Sequence, residues 1–312
     1  MFKIIKNLLR SNFFTYKLSL KLYGLSKNIK VLFLRDDQIE IIKKHKKIIT
    51  SFKQITYIKE LIDYFDFYYD SVKNEEDKSE LSFLPNCSFV LNNFRYKSKL
   101  YFPSVPTPAA TSKIYIDLAK PKKNWKILDL GSYCGVTIID FLLEVGEDGY
   151  VLGVEPDPIN YKYLSKNMNN FMEQYPNYKF DIENIAVSNH NKGIYFSSNE
   201  DMSSAALDAS PILYQKKENI VKVDSINLSN LVSKYGLNEV NLIKADIEGS
   251  ELNALNDSDF FNNFNPMILL EPISIKGKNS LEQIIVLLQS FGYSHKLIDQ
   301  EGGAAPIALF SR

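Results

Sequence analysis

The stretch from Trp125 to Pro158 constrains the fold more than any other, because it predicts a strand, a glycine turn, a helix and a second strand in succession. Ile127, Leu128 and Leu130 suit a strand that is buried on both faces. Gly131 and Gly135 allow a tight turn and the close approach of a ligand. Val136–Val145 then carries apolar residues at helical spacing, and its first turn offers unpaired N–H groups. The stretch therefore predicts a βαβ unit.

Glu155 stands at the end of the second of these strands, about two dozen residues after Gly131. In a nucleotide-binding βαβ unit, a carboxylate at this position accepts hydrogen bonds from the ribose hydroxyls. The alternative is a plain βαβ unit without a ligand. A nicotinamide dehydrogenase is disfavoured because the turn lacks the G-x-G-x-x-G spacing that brings a pyrophosphate to a helix N-terminus. The pattern therefore indicates a nucleoside site of another kind.

The composition of the 312 residues argues against several classes of protein. Cys87 and Cys134 lie far apart and lack the spacing of metal ligands, so neither a disulfide framework nor a zinc site is indicated. No apolar stretch reaches the ~18 residues of a membrane span. The lysines within Met1–Lys21 leave no apolar segment for a cleaved secretion signal. We therefore expect a cytoplasmic protein in a reducing compartment.

Residues 1–110 are predicted to form a helical extension with a β-hairpin, and residues 111–312 a separate domain. The first 60 residues are basic, with 14 Lys/Arg against 4 Asp/Glu. Up to about Leu22, apolar residues recur at helical spacing, namely Phe2, Ile5, Leu9, Phe13, Tyr16 and Leu20. This amphipathic helix could pack against the protein body or a second subunit of a homo-oligomer. Alternatively, residues 1–24 could lie on an anionic membrane surface and make the protein membrane-peripheral.

Two more elements are predicted in the extension. Further helix is expected between Asp37 and Tyr69, with the lysine cluster at 43–47 on a solvated face. Ser88–Leu91 and Phe94–Phe102 predict a hairpin, because aromatic residues alternate and Asn92-Asn93 accepts the positive φ of the turn.

Strands and helices alternate through the rest of the chain. Helices are predicted at Thr111–Lys120, Pro158–Phe171, Ser225–Tyr235 and Leu281–Phe291. Strands are predicted at Phe180–Val187, Gly193–Ser197, Ile220–Asp224, Val240–Ala245 and Met267–Leu270, and His295–Ile298 with Pro306–Phe310 as a closing hairpin. This alternation predicts an α/β, Rossmann-like doubly wound fold with a mostly parallel sheet and a C-terminal antiparallel hairpin. Glu155, Asp246 and Glu271 would then meet at the carboxyl edge, where such sheets bind ligands.

Residues 242–251, L-I-K-A-D-I-E-G-S-E, resemble the I-K-x-D-x-E-G-x-E signature of the FkbM-type S-adenosylmethionine-dependent methyltransferases. Two further stretches resemble other signatures of this Rossmann-like class I family, Glu155-Pro156-x-Pro158 and Asp129-x-Gly131-x-x-x-Gly135. Ala186-Val187-Ser188 and Ser203-Ser204 are similar to two weaker ones. The resemblance covers about Trp125 to Tyr293, and Tyr133 stands where the family usually has Asn.

The resemblance implies S-adenosyl-L-methionine as the cofactor. The residues that it implies for cofactor binding are Asp129, Gly131, Ser132, Tyr133, Gly135, Glu155, Pro156, Asn184, Ala186 and Asp246. Among them, Glu155 would hold the ribose and the glycine turn would pass the methionine portion. Asn184, Ile185 or Ala186 would border the adenine.

Methyl transfer depends mainly on positioning and desolvation, but a hydroxyl acceptor also needs a base. Asp246 is the first candidate, followed by Glu248 and Glu271. The alternative for these acids and for Glu251 is a structural role at a helix N-terminus. They could also bind a divalent cation, although no metal site is predicted.

We therefore expect an O-methyltransferase that acts on a saccharide hydroxyl of a glycan or glycan precursor, with no nucleic acid among its partners. The alternatives are a methyltransferase of a polyketide or other small metabolite, and a non-catalytic scaffold that retains the Rossmann-like cleft.

Overall fold

The computed structural model describes residues 13–34, 38–74, 82–83, 89–91, 99–105, 110–198, 205–206, 220–272, 280–299 and 306–312. The chain divides into two compact units, Met1–Pro108 and Ala109–Arg312. Each unit is described by itself below.

The first unit begins with a helix and a small antiparallel sheet. Its helices are α1 (Phe13–Ser26), α2 (Ile58–Asp63) and α3 (Phe65–Ser71), with a 3-10 helix at Phe52–Tyr57. Its strands are β1 (Lys30–Phe33), β2 (Gln38–Lys43), β3 (Lys46–Ser51), β4 (Val72–Asn74), β5 (Ser82–Phe83), β6 (Phe89–Leu91) and β7 (Leu100–Phe102). The described strands form two sheets, in the orders β1-β2-β3-β5 and β4-β6-β7.

The prediction of helix between Asp37 and Tyr69 is wrong for residues 38–51, which form the hairpin β2–β3. Ile39 and Ile41 in β2, and Ile48 and Thr50 in β3, are fully buried, so each strand shows the period of two that a strand requires. Lys44 adopts φ +56° in the turn. Within the predicted range 37–69, helix therefore begins only after Ser51.

The other predictions for this unit have mixed outcomes. The hairpin is present as the antiparallel pair β6–β7, and Asn92-Asn93 lies outside the described residues. Of the predicted amphipathic helix, α1 is described and residues 1–12 are not. Leu20 on the predicted apolar stripe is buried, and the Tyr16 hydroxyl donates to the Ile55 carbonyl at 3.4 Å. In the part of the chain that the structure describes, no helix is long and apolar enough to cross a bilayer.

The second unit has the predicted doubly wound sheet. Its described strands are β8 (Lys126–Leu130), β9 (Tyr150–Val154), β10 (Lys179–Glu183), β16 (Leu242–Ala245), β17 (Met267–Leu270), β18 (Ser294–Ile298) and β19 (Ile307–Ser311). Their order in the sheet is β10-β9-β8-β16-β17-β19-β18. The first five in this order are parallel, whereas β19 runs antiparallel to both β17 and β18. The closing hairpin is therefore confirmed.

Helices and small sheets complete this unit. The helices are α4 (Ala110–Ala119), α5 (Val136–Val145), α6 (Pro158–Gln174), α7 (Leu228–Lys234), α8 (Glu251–Leu255), α9 (Ser258–Asn263) and α10 (Ser280–Ser290). The minor strands are β11 (Ala186–Val187), β12 (Ile194–Ser197), β13 (Ala205–Ala206), β14 (Ile220–Val223) and β15 (Ser225–Ile226).

Two predicted elements are divided in the structure. Phe180–Val187 is not one strand, because β10 ends at Glu183 and β11 pairs with β15 in a separate sheet. The predicted helix from Ser225 starts only at Leu228, because Asn227 caps it by accepting a hydrogen bond from the Asn230 N–H at 3.0 Å.

The strand order changes direction between β8 and β16, the position at which open α/β sheets bind ligands. The two strands pair in register from Leu242 with Ile127 to Ala245 with Leu130. Both are buried along nearly their whole length, which explains their continuous apolar pattern. The residues after Leu130 and Ala245 therefore lie side by side at the carboxyl edge.

Candidate functional site

The glycine turn after β8 is folded tightly against the ends of its neighbouring strands. The N–H groups of Gly131 and Ser132 both donate to the Val154 carbonyl, at 2.9 and 3.0 Å. Gly131 has φ +78°, and a Cβ on it would lie 2.0 Å from the Asp246 carbonyl oxygen. A Cβ on Gly135 would lie 2.7 Å from Leu164 Cδ1. Gly131 therefore leaves no room for a side chain beside the backbone of Asp246, and Gly135 adopts φ +87°, so both have a structural role that the sequence pattern did not show.

Glu155 lies where β9 ends, and its carboxylate faces the glycine turn. Oε2 accepts a hydrogen bond from the Tyr133 N–H at 2.8 Å, and Oε1 accepts one from the Asp157 N–H at 2.9 Å. The side chain is 5% exposed, and this burial raises its pKa to about 8 despite the two N–H donors. Each carboxylate oxygen can accept a second hydrogen bond. The geometry therefore fits a ribose, whose two hydroxyls would supply donors to this buried group.

The other residues proposed for the nucleoside side have mainly structural contacts. Asn184 Nδ2 donates to the carbonyls of Glu155 and Pro156, at 2.8 and 3.1 Å, and so fixes the chain after β9. Ala186 is buried in a small cluster with Phe196 and Val223. Ser203-Ser204 lies outside the described residues.

A buried ion pair joins the glycine turn to the acidic signature. Lys244 Nζ lies 3.1 Å from Asp129 Oδ1 and donates to the Gly131 carbonyl at 2.8 Å. Asp129 also accepts a hydrogen bond from the Thr137 hydroxyl. Burial lowers the pKa of Lys244, but the carboxylates of Asp129 and Asp246 outweigh it and leave the pKa raised. Lys244 and Thr137 were not predicted, although Lys244 stands within the signature.

Asp246 and Glu271 lie at the ends of the adjacent strands β16 and β17. The Asp246 N–H donates to the Leu130 carbonyl at 3.1 Å, which fixes its position beside the turn. The pKa of Asp246 is raised by burial and by Asp129, against the opposing effects of Lys244 and of a hydrogen bond from Tyr115. The same Tyr115 hydroxyl donates to Glu271 Oε2 at 3.0 Å. The structure therefore brings the two predicted acids together around one phenol.

Tyr115 is a site residue that the sequence did not reveal. It lies on α4, is 1% exposed, and is 156 positions from Glu271. Burial and the nearby charges of Asp246 and Glu271 raise its pKa, so that the phenol stays protonated and acts as a donor.

The remaining acids of the signature differ in their surroundings. Glu248 has φ +53° and is half-buried. Glu251 is fully buried, and its Oε1 accepts the N–H groups of Ile247 and Gly249, at 3.3 and 3.2 Å. Burial raises the pKa of Glu251 to about 7. Glu251 therefore has the structural role at the start of α8.

A cavity of about 450 Å³ lies at the opposite, amino-terminal edge of the sheet. Its lining includes Trp125, Asn241 and Met267, which stand at or before the starts of β8, β16 and β17. It is therefore separate from the carboxyl-edge site. Within the described ranges, no three or more His, Cys, Asp or Glu residues are arranged to hold a metal ion.

A family model described as the Methyltransferase FkbM domain matches residues 129–294, more than half of the chain. No curated protein matches. The similar solved structures include a methyltransferase FkbM from Methylobacillus flagellatus KT, with 12% identity and a TM-score of 0.46 over 83% of this chain and 55% of that one. This chain thus spans about half the length of that protein.

Two other structures are similar at low identity. The precorrin-6y C5,15-methyltransferase from Geobacter metallireducens GS-15 has 8% identity and a TM-score of 0.40, over 65% of this chain and 89% of that one. Aeropyrum pernix fibrillarin, solved with natively bound S-adenosyl-L-methionine, has 12% identity and a TM-score of 0.35, over 72% of this chain and 94% of that one. By the extent of the family match, the chain belongs to the FkbM family of S-adenosylmethionine-dependent methyltransferases.

Proposed function

We propose that the protein is an O-methyltransferase that transfers the methyl group of S-adenosylmethionine to a saccharide hydroxyl of a glycan or glycan precursor. The observation that carries this proposal is the position of Asp246. Its carboxyl group lies directly after the central strand β16, and the Asp246 N–H is bonded to the end of β8. A base at this place is next to the glycine turn and next to Glu271.

The residues at the carboxyl edge have two tasks in this proposal. Glu155 accepts hydrogen bonds from the ribose hydroxyls, and the turn at Gly131, held by Lys244, lines the methionine end. When bound, S-adenosylmethionine supplies a methyl group on a sulfonium, which is a good leaving group. The protein therefore needs to orient the acceptor, exclude water and remove one proton.

Asp246 is proposed to take the proton from the acceptor hydroxyl. The burial that raises its pKa makes it a stronger base than an exposed aspartate. Tyr115 positions Glu271 by donating its hydroxyl proton to Oε2, and the same hydroxyl is close enough to Asp246 to lower the pKa of that carboxyl group. Glu248 is the second candidate base.

A saccharide is favoured as the acceptor because it presents several neighbouring hydroxyls. Asp246, Glu248 and Glu271 offer several carboxylate oxygens on one edge, and each oxygen can accept hydrogen bonds. A polyketide or another metabolite with a single hydroxyl would use fewer of them. The acidic edge therefore favours a polyhydroxylated acceptor.

The first test is isothermal titration of the full chain with S-adenosylmethionine. We expect a 1:1 complex, and we expect Glu155→Gln to weaken it at least about tenfold, since a charge-assisted hydrogen bond contributes about 1.5–3 kcal/mol. Glu144→Gln, on the exposed side of α5, is the matched control and should bind as the wild type does. If no binding is seen at millimolar S-adenosylmethionine, the methyltransferase proposal is contradicted and the non-catalytic scaffold is the remaining alternative.

The second test measures formation of S-adenosylhomocysteine with panels of saccharides, polyketides and small metabolites. With an active acceptor, Asp246→Asn should lower turnover about 10²–10⁴-fold, while cofactor affinity changes little. Glu248→Gln tests the second candidate base in the same assay. Turnover confined to non-saccharide acceptors would contradict the acceptor class, and unchanged turnover in Asp246→Asn would contradict the base.

A further inference from the structure

Helix α1 carries a second apolar stripe, distinct from the predicted one, and this stripe is exposed. Phe14, Leu18, Leu22 and Leu25 are 74%, 47%, 59% and 61% exposed. Their spacing of four, four and three residues places them on one face of the helix. Leu20, on the other side, is 5% exposed. Among the described residues, the helix is therefore apolar on two sides, one buried at Leu20 and one exposed at Leu18, Leu22 and Leu25.

The chain around this stripe is basic and contains no acid. Residues 13–34 include Lys17, Lys21, Lys27 and Lys30 but neither Asp nor Glu. Within the first 34 residues there are seven Lys/Arg and no Asp/Glu. Lys21, Lys27 and Lys30 are exposed. Asp63, which accepts a hydrogen bond from Tyr23 of this helix, is also paired with Lys59 at 2.6 Å.

Lys17 and Lys21 stand on the border between the two faces of α1. The ammonium of Lys17 lies 4.3 Å from the ring centre of Phe52, and that of Lys21 lies 5.8 Å from the ring centre of Phe33. By helical spacing, each of these lysines is three residues after a member of the stripe, Phe14 or Leu18. Cations thus flank an exposed apolar face along one side.

We propose that this face of α1 binds the surface of an anionic phospholipid bilayer. An exposed apolar stripe bordered by lysines is the pattern of a helix that lies in the interface plane, with its leucines among the acyl chains and its lysines near the lipid phosphates. With 14 residues, α1 is about 21 Å long, which is too short to cross the bilayer. The proposal does not depend on methyl transfer.

The charges argue against a second copy of the chain as the occupant of this face. A second copy packed through the same stripe would bring two acid-free, lysine-bearing segments together, and like charges would repel. Anionic lipid headgroups neutralise the same lysines.

The test is co-sedimentation of the full chain with vesicles. We expect binding to phosphatidylcholine vesicles that contain about 30% phosphatidylserine, and at least about tenfold weaker binding to phosphatidylcholine alone or in ~0.5 M NaCl. Leu18→Gln with Leu22→Gln removes apolar surface without changing charge. This double variant should bind at least about tenfold more weakly and keep its thermal midpoint, since both leucines are exposed.

The matched control is Val286→Gln with Leu297→Gln, two exposed apolar residues of the other unit, which are 67% and 46% exposed. This control should bind vesicles as the wild type does. The proposal is overturned if the wild type does not bind anionic vesicles, or if the Leu18/Leu22 variant binds equally well. It is also overturned if light scattering shows a dimer that this variant disrupts while vesicles do not bind, because the face would then belong to a second copy.

Discussion

Binding of a nucleoside at Glu155 should release a proton near neutral pH. In the free protein, burial raises the pKa of this carboxyl group to about 8, so it is mainly protonated at pH 7. Hydrogen bonds from two ribose hydroxyls favour the charged form and lower the pKa. A ligand that makes these bonds therefore displaces the proton.

The size of the effect follows from the pKa. With a value of about 8, the group is about 90% protonated at pH 7, so binding should release about 0.9 proton per site. Removing this proton costs about 1.4 kcal/mol at pH 7, because each pKa unit corresponds to 1.36 kcal/mol. The affinity should therefore rise about tenfold per pH unit below pH 8 and become constant above it.

The assay is isothermal titration with 5′-methylthioadenosine in two buffers of different ionisation enthalpy. This ligand has the ribose diol but lacks the amino group of S-adenosylmethionine, which would itself titrate near pH 8. Glu155→Gln should bind more weakly and should release no proton. Proton release of zero in the wild type, or equal release by wild type and Glu155→Gln, would refute the assignment of Glu155 to the ribose.

Three further predictions concern neighbouring residues. Tyr115→Phe removes a hydrogen bond that lowers the pKa of Asp246, so the acid limb of the turnover-pH profile should move to higher pH while calorimetry shows unchanged cofactor affinity. As the pH rises from 5 to 8, the free energy of unfolding of Glu251→Gln should increase by about 2–3 kcal/mol relative to that of the wild type. Guanidinium unfolding followed by the fluorescence of Trp125 measures this difference. The reason is that the pKa of Glu251 is raised to about 7 in the folded state, so its contribution to stability is lost as pH rises; equal pH profiles would contradict this. In the same unfolding assay, Gly131→Ala should lower the free energy of unfolding by more than about 3 kcal/mol, because its Cβ would meet the Asp246 carbonyl. The control Gly236→Ala, with φ +59° and open space around it, should lower it by about 1–2 kcal/mol. Similar losses in the two variants would contradict the clash.

The second unit was predictable because its signals are local. Val136–Val145 was predicted with the bounds that the structure has, since its apolar spacing follows directly after a glycine turn. The hairpin β2–β3 was missed because its lysine cluster suggested a solvated helical face. In the structure, Lys43 and Lys46 pair with Asp66 and Asp70 of α3. Such long-range ion pairs cannot be predicted from the spacing of apolar residues in the sequence.

The candidate site was predictable only in part, for the same reason. Acids at strand ends could be identified because parallel strands end at a common edge. Tyr115 could not, because only the folded sheet brings α4 to Glu271. The structural role of Gly131 was also hidden, because it depends on the carbonyl of a residue 115 positions away in the sequence, Asp246.

The contacts of Lys244 and Gly131 make the glycine turn and the proposed base one structural unit. The carbonyl of Gly131 accepts from Lys244, and the Cα of Gly131 is packed against the carbonyl of Asp246. Lys244 also pairs with Asp129 at the end of β8. A buried ion pair contributes little net stability, because desolvation offsets the attraction, so its value here lies in fixing geometry. Methyl transfer needs the acceptor in line with the methyl group, and a shift of about 1 Å can reduce the rate about 10²-fold. Because Lys244 bonds to the glycine turn and lies two residues before Asp246, it holds the turn and the proposed base in a fixed relative position.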